Sequence, residues 1–507
     1  MKKIRTYLWQ NLVSRKLEIT FFLICLLLVF FFSRKVYQLK ILGYQYVPEA
    51  NEILDEYDFA WLGKSILTTG VPTAWSDLGA YPNEIKEKFN LKVEDFSIKA
   101  NERKPSFNNF RSFPKPLVKV ETLDYGKGAM QIRFVQPYLD HPPLAGLVYA
   151  LGINNKATTF KDVKPEQFRR PNIWLSYLVG LLIFLLGTQL AGPWVGLIAF
   201  LFYSTVPSFV FASRFSLAEN VLIPLFLASA NFLLLGKRFS KLIFFILAGF
   251  LAGLAALTKL SGWGVVLAGL LCLFYWKKSI KEFLSFLISG VFVGSLYFIY
   301  GWYLGGSLFW QIFLNQSARF FWGALGFWEQ IAKVNLLHFP LDGWWLGGFV
   351  ILVYLAAFKE NRELILMALA YFLTILFLGG GNYAWYYFPF IPFLALAIAI
   401  LIMRLITKPS LVDLFLFFIF PFSSSFYWGF SVFHQNWSLT WLYRMLILIF
   451  ILLALFFIPK IKNSGLLRLI WVVFLIFLIH RLYLWNFRSV LFLLENWGKL
   501  QGPLINL

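Results

Sequence analysis

The chain has 507 residues, of which 59% are hydrophobic and 14% charged, and its formal net charge is +21 at pH 7. Soluble domains are roughly half apolar and a quarter charged, so this composition cannot cover a globular surface that faces water. Much of the positive excess lies in short loops between apolar stretches, which points to a membrane and away from nucleic acid.

Lys2, Lys3, Arg5, Arg15 and Lys16 precede an apolar run that ends at Phe31-Phe32-Ser33-Arg34-Lys35. No small-residue cleavage site follows, so the run reads as an uncleaved first transmembrane helix and not as a removed signal peptide. Its basic flank places the N-terminus in the cytoplasm, and the segment 34–171 begins outside. Within that segment, Ile53, Tyr57, Ala60, Trp61 and Ile66/Leu67 have helical spacing, which predicts a helix from Pro48 to Leu67 that stops at Gly70-Val71-Pro72. Residues 77–135 show no clear periodicity. From Pro142-Pro143-Leu144 to Ile153 the apolar part is too short to span, so it is predicted to lie along the membrane surface.

Further apolar spans are predicted at roughly 172–190, 194–212, 217–235, 242–258, 262–276, 283–304, 342–358, 364–379, 387–403, 410–428, 440–458 and 466–484. With the surface helix not crossing, Lys237/Arg238/Lys241, Lys277/Lys278/Lys281, Lys359/Arg362, Arg404/Lys408 and Lys460/Lys462/Arg468 all fall inside. If it crossed, all would lie outside, against the positive-inside rule. The expected architecture is an all-α polytopic membrane protein of about thirteen spans, multi-pass in the cytoplasmic membrane. Its parts are 1–33 (cytoplasmic N-terminus and first span), 34–171 (large extracytoplasmic loop), 172–304 (spans two to seven), 305–341 (second outer loop) and 342–507 (the remaining spans and an outer tail). Cys25 and Cys272 fall in apolar helices, so neither a disulfide nor a cysteine metal site is expected.

Ionisable groups at membrane depth cost several kcal/mol unless paired or wetted, which makes them functional candidates. The outer face collects Asp55 and Glu56 on the first loop helix, Asp140 and His141 before Pro-Pro, Arg214 and Glu219 at one helix junction, and Lys259 at another. Arg319 and His338 lie in the second loop, Tyr383, Tyr386 and Tyr387 in a later turn, and His434 and Arg444 at an outer corner. Carboxylates gathered with cations suit a reaction in which a base deprotonates an acceptor while cations hold a phosphate leaving group. Asp55 and Asp58 share a helix face from which Glu56 points away. Plain readings stand beside these: Asp55 as a solvated helix residue, Asp140 starting a turn, Arg214 and Lys259 snorkelling, the tyrosines as an aromatic belt.

Three segments in order carry a family resemblance. Asp55-Glu56-Tyr57-Asp58-Phe59-Ala60, followed by Gly70, resembles the first-loop helix of membrane glycosyltransferases of the GT-C class. Asp140-His141-Pro142-Pro143-Leu144 is similar to an element of the family 39 dolichyl-phosphate-mannose protein mannosyltransferases and of the lipid A aminoarabinose transferases. Ser213-Arg214-Phe215-Ser216-Leu217-Ala218-Glu219 is similar to a motif that ends their third span, with Glu where the family usually has Asp. Weaker echoes are the segments ending in Thr258-Lys259 and running from Tyr386-Tyr387 to Pro392.

The resemblance implies a GT-C fold and an inverting transfer of a sugar from a polyprenyl-phosphate donor to a lipid, glycan or protein acceptor. It implies Asp55 as general base or acceptor-orienting carboxylate, with Glu56 beside it. Asp140 and His141 would shape the site or bind a divalent cation, the one cofactor it leaves open. Arg214, Lys259 and Arg319 would hold the donor phosphate, and Glu219, Tyr386 and Tyr387 would shape the site. The rival from another class is a transporter or flippase of lipid-linked substrates. That class predicts polar features near the midplane and internal repeats, whereas here the polar residues gather at one face.

Overall fold

The computed structural model describes residues 2–44, 54–76, 78–81, 86–87, 117–124, 129–154, 157, 162–317, 325–328, 335–336, 339–340, 343–378, 384–426 and 464–500, together with isolated positions between 441 and 460. Among the described residues seven helices are long and apolar enough to cross a membrane, and five shorter apolar helices lie between them in the chain. Together they coincide with every predicted span except 440–458, which falls where only isolated residues are described.

The first helix, α1 (Lys2–Ile41), continues past its predicted end at 33 by about two turns, which carries Lys40 to the base of the large loop. After it come α2 (Leu54–Thr69), α3 (Leu144–Ala150), α4 (Pro165–Phe168), α5 (Arg170–Ala191), α6 (Pro193–Thr205) and α7 (Pro207–Ala212). Next are α8 (Ala218–Phe239), α9 (Leu242–Ala256), α10 (Trp263–Tyr275), α11 (Ile280–Gly305) and α12 (Ser307–Ser317). Local chemistry sets several of these boundaries. Proline opens α6 and α7, where its missing N–H has no helical partner to lose. Ser279 and Glu282 cap α11 reciprocally, with the Ser279 N–H donating to the Glu282 carboxylate at 2.8 Å.

Burial separates centre from rim. The apolar window of α8 and that of Trp385–Thr407 are each 78% buried within the protein, whereas those of α1 and Gly465–Glu495 are 17% and 22% buried and present Ile19, Phe30, Ile470 and Phe477 outward. At one end of the bundle the basic loops meet. Lys237 pairs with Glu363, Lys278 reaches Ser240 at 3.4 Å, Arg404 lies 3.7 Å from Glu360, and Arg468 donates to the Thr407 carbonyl at 3.0 Å. These contacts bring the loops bearing the basic clusters together at one end.

The large loop occupies the other end, and it is not purely helical. Strands β1 (Ala74–Trp75), β2 (Lys86–Glu87), β3 (Leu117–Asp124) and β4 (Ala129–Gln136) form one sheet in the order β1-β4-β3-β2. β3 and β4 are an antiparallel hairpin with Val118 opposite Val135 and Val120 opposite Arg133. The all-α expectation therefore omits a small sheet. Its signal was present: Val118, Val120 and Thr122, then Met130, Ile132 and Phe134, alternate with polar residues around Gly126-Lys127-Gly128. Each run is short and rich in charge, which hid the period of two. The sheet rests on α2 through Trp61 and Phe134, whose ring centres are 4.7 Å apart.

Candidate active site

Two short helices position the acids. Helix α2 crosses α3 where Gly63 meets Gly146: a Cβ built on Gly63 would lie 1.9 Å from the Gly146 carbonyl oxygen. Only glycine allows the two backbones to touch. Gly70, at φ +76°, then ends α2 in the left-handed region. Hydrogen bonds pin the second element to the bundle. The Leu144 N–H donates to the Leu257 carbonyl at 3.2 Å, the Tyr149 hydroxyl to the Leu217 carbonyl at 2.6 Å and the Tyr297 hydroxyl to the Leu139 carbonyl at 2.9 Å.

The first-loop helix α2 is mostly buried, and its acids face three ways. Asp58 accepts from the Trp75 N–H at 2.9 Å and the Tyr138 hydroxyl at 2.5 Å, which ties α2 to β1 and to the chain just before Asp140. Burial holds the Asp58 carboxyl well above the usual carboxylate range; the Tyr138 hydrogen bond opposes this, and Asp140 and Asp55 add to it. Asp140 is buried and accepts from the Ser76 hydroxyl at 2.6 Å and the Tyr81 hydroxyl at 2.8 Å. Asp55, one turn before Asp58, is half-buried. Asp55 and Asp140 both lie close enough to Asp58 for it to feel their charge.

Glu56 turns to the opposite side. It takes two N–H groups of Arg169, one at 2.9 Å, and the Ser216 N–H at 2.7 Å. Arg169 also donates to the Tyr44 carbonyl. Arg214 lies on this side too, donating to the Leu39 and Leu42 carbonyls at 3.1 and 2.6 Å. Neither Glu56 nor Arg214 is brought to Asp55 by these contacts.

Lys259 joins Asp55 on the other side. In the loop after α9, its ammonium lies 2.5 Å from Glu219 Oε1 and 3.7 Å from the centre of the Tyr386 ring, within electrostatic reach of Asp55. The second oxygen, Glu219 Oε2, is buried and has no hydrogen-bond partner among the described residues. Tyr387 is fully buried in an aromatic cluster, its ring 5.3 Å from Phe327. The His141 ring lies 5.5 Å from Phe59 and 6.2 Å from Tyr138. Arg444 is exposed over Trp441. Arg319, His338, Tyr383 and His434 lie outside the described residues.

Among the described residues no three His, Cys, Asp or Glu side chains gather as a metal site. Both oxygens of Asp140 receive hydroxyl donors, which fix the orientation of its carboxylate. Sequence reasoning missed Ser76, Tyr81, Tyr138 and Arg169, the partners of Asp140, Asp58 and Glu56. Tyr138, two residues before Asp140, was the one with a local signal.

Residues 140–302 match the sequence model of the dolichyl-phosphate-mannose-protein mannosyltransferase family. No curated protein matches the chain. Among solved structures, ArnT from Cupriavidus metallidurans bound to undecaprenyl phosphate is similar with a TM-score of 0.51 and 14% identity, over 92% of this chain and 77% of that one. Its apo form gives a TM-score of 0.45 at 14% identity, over 95% and 78%. The oligosaccharyltransferase AglB from Archaeoglobus fulgidus, in complex with an inhibitory peptide and a dolichol-phosphate, gives 0.44 at 12% identity, over 94% of this chain and 56% of that one. The first of these likenesses extends over most of both chains, and the fold is GT-C.

Proposed function

We propose that this chain, a multi-pass membrane glycosyltransferase with the GT-C fold, moves a sugar from a polyprenyl-phosphate donor to a hydroxyl or amine of a lipid, glycan or protein acceptor, with inversion. The observation that carries the reading is the buried Lys259, 2.5 Å from Glu219 and over the Tyr386 ring, within electrostatic reach of Asp55 at the large-loop end of the bundle. The family match over residues 140–302 and the undecaprenyl phosphate bound to ArnT support the donor class.

The chemistry follows from the placement. Asp55 takes the proton of the acceptor, or orients it, as the acceptor heteroatom bonds to the anomeric carbon from the face opposite the phosphate. The bond from that carbon to the phosphate oxygen breaks, and the electron pair leaves with the polyprenyl phosphate. Lys259 stabilises that developing charge. An ammonium has three N–H donors, so Lys259 can keep Glu219 and still reach a phosphate oxygen. Asp58 and Asp140 hold the loop in register through Tyr138, Trp75, Ser76 and Tyr81, and His141 and Tyr386 shape the site.

The positive-inside rule puts the basic end of the bundle and the N-terminus in the cytoplasm, and the large-loop end at the extracytoplasmic face of the cytoplasmic membrane. The division at 34–171 then separates the loop that carries the acids from the helices of 172–304 that carry Lys259 and Glu219. The test is transfer by purified protein in lipid nanodiscs supplied with polyprenyl-phosphate sugars and membrane extracts as acceptor. Asp55→Asn is expected to reduce turnover about 10²- to 10⁴-fold. Full activity of Asp55→Asn with every donor that the parent uses removes the reading.

A further inference from the structure

Beside the Arg169 that pairs with Glu56, a narrow cleft opens between the end of α1 and the start of α5, lined by Lys40, Arg169, Asn172, Ser176, Ser213 and Arg214. Its three cations are almost wholly buried, with Lys40 at 3%, Arg169 at 5% and Arg214 at 9% exposure. Glu56 compensates Arg169. Lys40 donates to the Ser213 hydroxyl at 2.8 Å and lies over the Tyr203 ring, while Arg214 reaches only the carbonyls of Leu39 and Leu42. Neither Lys40 nor Arg214 has an acidic partner among the described residues. Buried cations in excess of their carboxylates cost several kcal/mol, which an anion in the cleft would offset.

The surroundings say what kind of anion. Below the cleft, α1 and α5 run side by side, joined by the Tyr177 hydroxyl on the Ser33 carbonyl at 3.3 Å and by the Tyr37 and Tyr177 rings 6.2 Å apart. Their outer faces present Tyr37, Trp174 and Leu178 at 43%, 68% and 45% exposure. A polar, cationic cleft at the end of two helices, continuous with an aromatic and apolar strip along them, has the two-part chemistry of a lipid: phosphate above, chains below.

We propose that this cleft binds the phosphate head group of an anionic glycerophospholipid, with its chains along the α1–α5 face. The proposal does not rest on the sugar-transfer reading: the cations of the cleft are held by Glu56, Ser213 and backbone carbonyls, whereas Lys259 is held by Glu219. It needs no sugar donor and no turnover.

Native mass spectrometry of the delipidated full chain, titrated with phosphatidylglycerol or phosphatidylcholine, reads the site directly. The parent is expected to hold phosphatidylglycerol about fivefold more tightly, the increment of one well-placed cation at a bilayer surface. Lys40→Gln removes a charge, and Ser176→Leu fills the cleft without touching one; each is expected to abolish the preference. Should Lys40→Gln fail to fold, Ser176→Leu carries the test, and the lipid preference of the parent stands on its own. Equal binding of the two lipids by the parent, or an unchanged preference in the variants that fold, overturns the proposal. So does full displacement of phosphatidylglycerol by millimolar inorganic phosphate, which would assign the cleft to a free anion.

Discussion

Lys259 Nζ and Glu219 Oε1 are 2.5 Å apart at a place where the Glu219 side chain has no exposure at all. A buried pair of this kind is worth little against a well-packed apolar pair, but losing one partner strands the other charge. Lys259→Met should therefore destabilise the protein by about 3–5 kcal/mol, and the double variant Lys259→Met with Glu219→Gln should recover most of that. Thermal unfolding in detergent reads both. Turnover separates structure from chemistry: the double variant is expected to fold like the parent yet stay inactive, since no ammonium is left for the phosphate. An active double variant would remove Lys259 from the transfer step.

Asp55 and Asp58 are one helical turn apart and should behave in opposite ways. Asp55→Asn keeps the shape of a half-buried side chain and is expected to melt within about 1 kcal/mol of the parent. Its loss should appear in turnover alone. Asp58→Asn weakens the acceptor of two buried donors, and a cost of about 1–3 kcal/mol is expected. A melting temperature unmoved by Asp58→Asn would contradict its role as an anchor.

The pH dependence of stability isolates Asp58 further. Burial raises its native pKa well above the usual carboxylate range, so the native state binds more protons than the unfolded chain between the two pKa values. The contribution of Asp58 is therefore complete below the unfolded value of about 3.9 and is lost as pH rises through the raised native value. Unfolding of the parent should become easier as pH rises from about 4 through neutrality, and Asp58→Asn should remove that component. Parallel slopes for parent and variant would show that Asp58 does not titrate in this window.

The transmembrane frame was legible because membrane physics writes it in single-residue terms: apolar length and the side taken by Lys and Arg. Even the decision that the Pro142-Pro143 helix stays on the surface followed from charge and length, and α3 has seven residues, too few to span. The site was legible only in part. Lys259 comes within electrostatic reach of Asp55, but Glu56 pairs with Arg169 and Arg214 lines another cleft, because helix spacing gives a residue's face and not the partner waiting there. Arg169 and Lys40 carried no motif. Arg169 pairs with Glu56, 113 positions away, and Lys40 meets Ser213 at a separation of 173, distances over which sequence pattern is silent.

The crossing of α2 and α3 offers the sharpest test of how the acids are held. A Cβ on Gly63 would come within 1.9 Å of the Gly146 carbonyl oxygen, and neither backbone can yield as a flexible side chain would. Gly63→Ala must push the helices apart, at a cost of about 1–3 kcal/mol. Because α2 carries Asp55 and the segment leading into α3 carries Asp140, the separation also moves one acid relative to the other. A displacement of about 1 Å in a positioned site lowers turnover by about 10²-fold. Gly70→Ala is the matched control: nothing lies within 4 Å of its Cβ, but its φ of +76° costs about 1–2 kcal/mol with any side chain. The two variants should therefore lose similar stability, while only Gly63→Ala loses most of its activity. Equal activity in both, measured as turnover per folded molecule, would show that the α2–α3 contact does not set the geometry of the site.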